Sequence, residues 1–175
     1  MDFSKWAAFQ KNLALSEQHF CHQGTKARRK IYMKEIIKPD NALPASGPYS
    51  PAVKAAGLIF VSGQLPLTKE GCPVGGGIKE QTIQALENLK AVLAGAGLSL
   101  EQVVKTTVYL KDISDFSIFN GIYGQYFTAS PPARACVGVS ALPKGVSVEI
   151  EAIAVQPTAS SRPAPEKSIG KESEW

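Results

Sequence analysis

The segment Val146–Val155 (VSVEIEAIAV) constrains this chain more than any other. Side-chain direction alternates along a strand. Val148, Ile150, Ala152 and Ala154 therefore share one face, and Glu149, Glu151 and Ile153 share the other. With apolar residues on both sides, such a strand belongs inside a sheet that is covered twice. Helices of the same chain can cover one face. A second copy of the chain is the simplest cover for the other.

Other segments supply the rest of the sheet and the helices. Ser50–Ala55 and Leu58–Ser62 flank Ala56-Gly57 and read as a hairpin. From Ile78 to Ala96, apolar residues at Ile83, Leu86, Leu89, Val92 and Leu93 recur near the helical period, with Gly97 at the end. Val103–Leu110 (VVKTTVYL) is β-branched and partly alternating. The stretch 115–127 places Phe116, Phe119, Ile122, Tyr123 and Tyr126 on one helical face. After Pro131-Pro132, Arg134–Ser140 and Val146–Val155 read as a second strand pair around Leu142-Pro143-Lys144-Gly145. The order hairpin, helix, strand, helix, strand, strand predicts a two-layer α+β domain, a mixed sheet with two helices on one face.

A chain of 175 residues with 44% hydrophobic and 19% charged residues can bury one core. No apolar run approaches the roughly 18 residues a membrane helix needs. The net charge of +4 comes from the amino-terminal end, where Lys5, Lys11, Lys26, Arg28, Arg29 and Lys30 face only Asp2 and Glu17. The remaining sequence is nearly neutral, which argues against a broad nucleic-acid surface. Residues 1–32 read as an extension, either a targeting segment for a mitochondrion or plastid or a stretch upstream of a start at Met33. Residues 33–156 read as the folded domain, and residues 157–175, rich in Pro, Ser and mixed charge, as a solvated tail. Cys21, Cys72 and Cys136 have no paired spacing and read as free thiols of a reducing compartment, which points to the cytoplasm.

Both histidines, His19 and His22, precede the domain, so imidazole-based nucleophilic machinery is unavailable to it. His19-Phe20-Cys21-His22 lacks a second half at metal-ligand spacing, and no metal is expected. Gly75-Gly76-Gly77 lacks the Lys-Ser/Thr of a phosphate loop. Arg134, at the entrance to a strand of small residues, offers a planar fork that matches a carboxylate, or else is a surface charge at a strand end. Glu149 can accept a proton from water, or else belongs to a solvated strand face. Cys136 stands two residues after Arg134 and shares its face, either as a buried small hydrophobe or as a thiolate. Tyr49 and Ser62 lie beside glycines, where backbone can approach a ligand or simply turn.

Taken in order, Gly47-Pro48-Tyr49-Ser50, Val61-Ser62-Gly63-Gln64, Val103–Val108, Asp112–Phe116, Pro132-Ala133-Arg134 and Leu142-Pro143-Lys144 to Glu149-Ile150-Glu151-Ala152 resemble the RidA (YjgF) family over about residues 34–156. The resemblance implies a chorismate-mutase-like fold, assembled as a homotrimer with ligand clefts between subunits. It implies cofactor-free hydrolysis of enamines and imines, such as 2-aminoacrylate and 2-aminocrotonate released by pyridoxal-phosphate enzymes, to 2-oxo acids and ammonia. Arg134 then corresponds to the carboxylate-binding arginine and Glu149 to the acid that positions water. Cys136 corresponds to a position whose backbone holds the ligand, and Tyr49 and Ser62 to cleft-lining positions. Two other functions follow from the same resemblance: a module that binds 2-oxo acids, and an endoribonuclease or translation inhibitor.

Overall fold

The structure is a computed structural model that describes residues 34–39 and 47–157. The expectations for residues 1–32, for His19, Cys21, His22 and Met33, and for the tail beyond residue 157 lie outside the described residues. The elements in chain order are β1 (Glu35–Ile37), β2 (Ala52–Ala55), β3 (Leu58–Gln64), α1 (Ile78–Gly95), β4 (Val103–Leu110), α2 (Phe116–Tyr126), β5 (Ala133–Gly138) and β6 (Val148–Val155). They form a mixed six-stranded sheet in the order β1-β2-β3-β6-β4-β5, with the two helices packed over one face.

β2 and β3 pair antiparallel around Ala56 and Gly57, whose φ angles of 52° and 80° give the turn a hand that matches strand twist. The expected pairing of the last two strands is corrected. β5 runs parallel to β4 at the sheet edge, whereas β6 lies between β3 and β4 and is antiparallel to both. A parallel neighbour requires a crossover, and α2 supplies it between β4 and β5. The Leu142–Gly145 stretch thus carries the chain across β4 rather than closing a hairpin. The doubly apolar β6 takes the position its sequence demands, inside the sheet.

Helix α1 begins where the Gly77 N–H donates to Glu80 Oε2 at 2.9 Å. It ends where Gly97, at φ +71°, lets the Leu98 N–H reach back to the Leu93 carbonyl at 3.0 Å. Its buried stripe is Ile78, Thr82, Ala85, Leu86, Leu89, Val92 and Leu93. Ile83 does not belong to it and is 37% exposed, because position 83 stands about 100° around the helix from Thr82. Phe116, at the first turn of α2, is likewise exposed, while Phe119, Ile122 and Tyr123 are buried. The core joins Leu86, Leu89, Leu93 and Phe119 to Ile59, Val108, Leu110 and Ile150, all fully buried. Each such side chain stabilises the fold by about 1.5–3 kcal/mol.

Two polar residues of α1 anchor the segments that flank the candidate site. Asn88 Nδ2 donates to the Leu65 and Leu67 carbonyls at 2.8 and 3.0 Å, which holds the loop after β3. Gln81 Oε1 accepts from the Ser147 N–H at 2.7 Å, which holds the start of β6. Among the described residues, none covers the opposite sheet face. Phe60, Val137 and Val155 are largely exposed there, beside half-buried Tyr109, Glu149, Glu151 and Ile153. Among the described residues, no helix is long and apolar enough to cross a membrane.

Candidate functional site

Two groups of polar residues stand on opposite faces of the sheet. On the open face, β3 is irregular between Val61 and Gln64, where its pairing with β6 shifts register. Bulges of this kind redirect side chains. Gly63 lies at this irregularity so close to Glu149 that a β-carbon there would stand 1.9 Å from Glu149 Oε1. Only a residue without a side chain leaves room for that carboxylate. Burial, together with the charge of Glu151 on the same strand face, raises the Glu149 pKa above the usual carboxylate range. Tyr109, opposite Glu149 in register, is raised by burial and then by Glu151 and Glu149.

Ser62 adjoins Gly63 on β3. The Ser62 hydroxyl donates to the Ser50 carbonyl at 2.7 Å and its N–H donates to the Pro51 carbonyl at 3.0 Å. Its side chain therefore holds residues 50–51 against β3. Gln64, buried, donates from Nε2 to the Ser62 carbonyl at 2.8 Å and stiffens the same bend. Tyr49 is exposed, with its N–H on the Gly47 carbonyl at 2.8 Å.

The second group lies at the β5 edge under α2. In the parallel register Thr106 pairs with Arg134 and Val108 with Cys136. Thr106 and Val108 are buried on the helix side, so Arg134 and Cys136 face that side too. The guanidinium carbon of Arg134 lies 4.5 Å from the centre of the Tyr123 ring and 5.7 Å from those of Phe116 and Phe119. Arg134 Nη2 donates to Asn120 Oδ1 at 2.7 Å. The cation is stacked and hydrogen-bonded, not loose in solvent. Below it, Thr106 Oγ1 and the Tyr123 hydroxyl are 2.7 Å apart in the core. Burial raises the Tyr123 pKa, opposed by the Thr106 bond and the Arg134 charge.

Cys136 is half-buried and packs against the core. Burial pushes its thiol pKa up, and the pull of Arg134 in the other direction is the smaller effect.

The structure thus joins Arg134 with Cys136, and Ser62 with Gly63 and Glu149, but Arg134 and Glu149 project from opposite sheet faces of one protomer. Asn120 and Tyr123 were not among the site residues expected from sequence. Their partnership with Arg134 arises only when the β4-α2-β5 crossover lays α2 over β5. Gly63 was legible as part of Ser62-Gly63, where glycine permits close approach. A shallow depression on the open face, lined by Phe60, Lys105, Thr107, Glu151 and Ile153, contains none of the candidate residues. Among the described residues, no group of three or more His, Cys, Asp or Glu side chains is placed to hold a metal ion.

Comparison with known proteins bears on this geometry. The family described as Endoribonuclease L-PSP matches residues 39–156. A RutC family protein of Pyrococcus horikoshii is 54% identical over 123 residues, covering 70% of this chain and 98% of its own. A protein of Bos taurus named 2-iminobutanoate/2-iminopropanoate deaminase is 50% identical over 125 residues, covering 71% and 91%. The crystal structure of E. coli TdcF with bound serine superposes with a TM-score of 0.67 at 40% identity, covering 70% of this chain and 99% of that one.

Proposed function

The chain belongs to the Endoribonuclease L-PSP family, the YjgF/RidA group, and from that premise we propose that it hydrolyses small enamine and imine acids, such as 2-aminoacrylate and 2-aminocrotonate, to 2-oxo acids and ammonia. The observation that carries this reading is the Arg134 guanidinium, held on an aromatic face by Tyr123 and Asn120 with further donors left for a ligand. Support also comes from the activity named for the bovine relative and from the serine, a small amino acid, bound by the E. coli relative.

The chemistry asks little of the protein. A protonated imine carbon is already electrophilic, so the tasks are to grip the carboxylate, favour the imine tautomer and place one water. Arg134 grips the carboxylate through two parallel N–H donors. Glu149 takes a proton from water as the water oxygen bonds to the imine carbon and the C=N electron pair moves to nitrogen. Glu149 then returns that proton to the nitrogen of the resulting carbinolamine, and as the hydroxyl proton passes to water the C=O bond forms and the C–N bond breaks, releasing ammonia. A carboxylate whose pKa is raised by burial suits this exchange, because it holds the proton more readily than an ordinary carboxylate before handing it back. No cofactor takes part in these steps.

Arg134 and Glu149 open on opposite faces, so in this reading each site takes Arg134 from one protomer and Glu149 from its neighbour. The assembly is a homotrimer, and it covers Phe60, Val137 and Val155. Cys136 contributes backbone and not thiolate, while Tyr49 and Ser62 line the Glu149 side.

The test supplies 2-aminoacrylate from a dehydratase and follows its decay with and without the protein. The protein should accelerate the decay, and Arg134→Ala should lose roughly 100-fold or more of that rate while its oligomeric mass is unchanged. Binding of 2-oxo acids without accelerated decay would leave a binding module and reject the hydrolase.

A further inference from the structure

A free arginine side chain samples many rotamers, and a ligand must overcome that freedom unless the protein has already fixed the fork. Here it is fixed from two directions. The Tyr123 ring lies under the guanidinium at 4.5 Å, and the ring is itself tied through its hydroxyl to buried Thr106. The ring contact holds the guanidinium in place but does not by itself fix which edge it presents. The Asn120 bond to Nη2, at 2.7 Å, removes that freedom. Arginine has only donors, so the amide oxygen of Asn120 must face it, and the amide NH2 is turned elsewhere. Asn120 is exposed, and its side chain contributes nothing to the core.

We propose that Asn120 is a positioning residue for Arg134: a neutral acceptor that turns the guanidinium so that its free edge meets a substrate carboxylate, without neutralising the charge that binds it. This rests on the reading of Arg134 as the carboxylate grip. Neutrality matters as much as geometry. A carboxylate at position 120 would hold the same fork at least as firmly, yet it would compete with the substrate for the same charge.

The experiment measures 2-oxobutanoate binding by calorimetry and imine hydrolysis for the full chain and for Asn120→Ala, Asn120→Asp and Arg134→Ala. Asn120→Ala should weaken 2-oxobutanoate binding and raise KM by roughly tenfold, with a smaller change in kcat and an unchanged melting temperature. Asn120→Asp, nearly isosteric and still able to accept from Arg134, should weaken binding further than Asn120→Ala. A surface residue with no such role predicts neither loss nor that order. Wild-type binding in both Asn120 variants, or undiminished binding in Asn120→Asp, would overturn the proposal. If Arg134→Ala fails in the same assays while the Asn120 variants do not, the positioning role alone falls. If Arg134→Ala binds and turns over normally, the carboxylate grip falls with it.

Discussion

Gly63→Ala tests the Glu149 half of the site without replacing a charged group. Its backbone does not need glycine's left-handed conformations, so any effect comes from the added methyl. That methyl would stand 1.9 Å from Glu149 Oε1, 2.7 Å from Cδ and 3.0 Å from Cγ, where ordinary contact begins at 3.4 Å. Glu149 must therefore retreat by about 1.5 Å, the difference between 1.9 and 3.4 Å. A misplacement of about 1 Å costs on the order of 100-fold in rate when a group positions a reactant. The obstructing atoms are the end of a flexible side chain, so the fold should lose about 1 kcal/mol or less. Steady-state ammonia release, with thermal unfolding on the same sample, reads both numbers. A folded Gly63→Ala protein with wild-type kcat/KM would refute the placement of Glu149 at the reacting water.

Three further outcomes follow from the packing and the electrostatics. Leu89→Ala, at a fully buried position of α1, should destabilise by about 2–5 kcal/mol, measured by denaturant unfolding. Thr106→Val leaves the buried Tyr123 hydroxyl without its partner and should cost about 1–3 kcal/mol, whereas adding Tyr123→Phe should recover most of it in a double-mutant cycle. The raised pKa of Glu149 means that the folded state binds its proton more tightly than the unfolded chain does. That contribution favours folding below the ordinary value of 4.5 and is lost as pH rises through the raised value, so ionised Glu149 opposes folding at neutral pH. Glu149→Gln should accordingly raise the melting temperature at pH 7, with a gain that shrinks towards pH 4.

Local periodicity was enough to place β3, α1, β4 and α2 within a few residues, because each carries its own hydrophobic repeat. It was also enough to require a second cover for β6. Strand order was not legible: nothing in Arg134–Gly138 says whether its partner is β4 or β6, and the choice depends on the α2 crossover and on the Gln81 anchor that holds the start of β6. β1 is only Glu35–Ile37 and has too few residues to show a period. Arg134 and Glu149 could be singled out by residue type and by resemblance, but their opposite facing could not, since it depends on sheet register. Asn120 had no local mark at all, and its significance comes from lying over β5.

Mixing Arg134→Ala and Glu149→Gln proteins under conditions of subunit exchange tests the central claim, that one site draws on two protomers. Each variant alone should be inactive. If neighbours complete each other's sites, an equimolar mixture should recover about a quarter of wild-type activity, because a site needs an intact arginine from one protomer and an intact glutamate from the next. Mixed oligomers, proven by mass, that stay inactive would contradict the shared site.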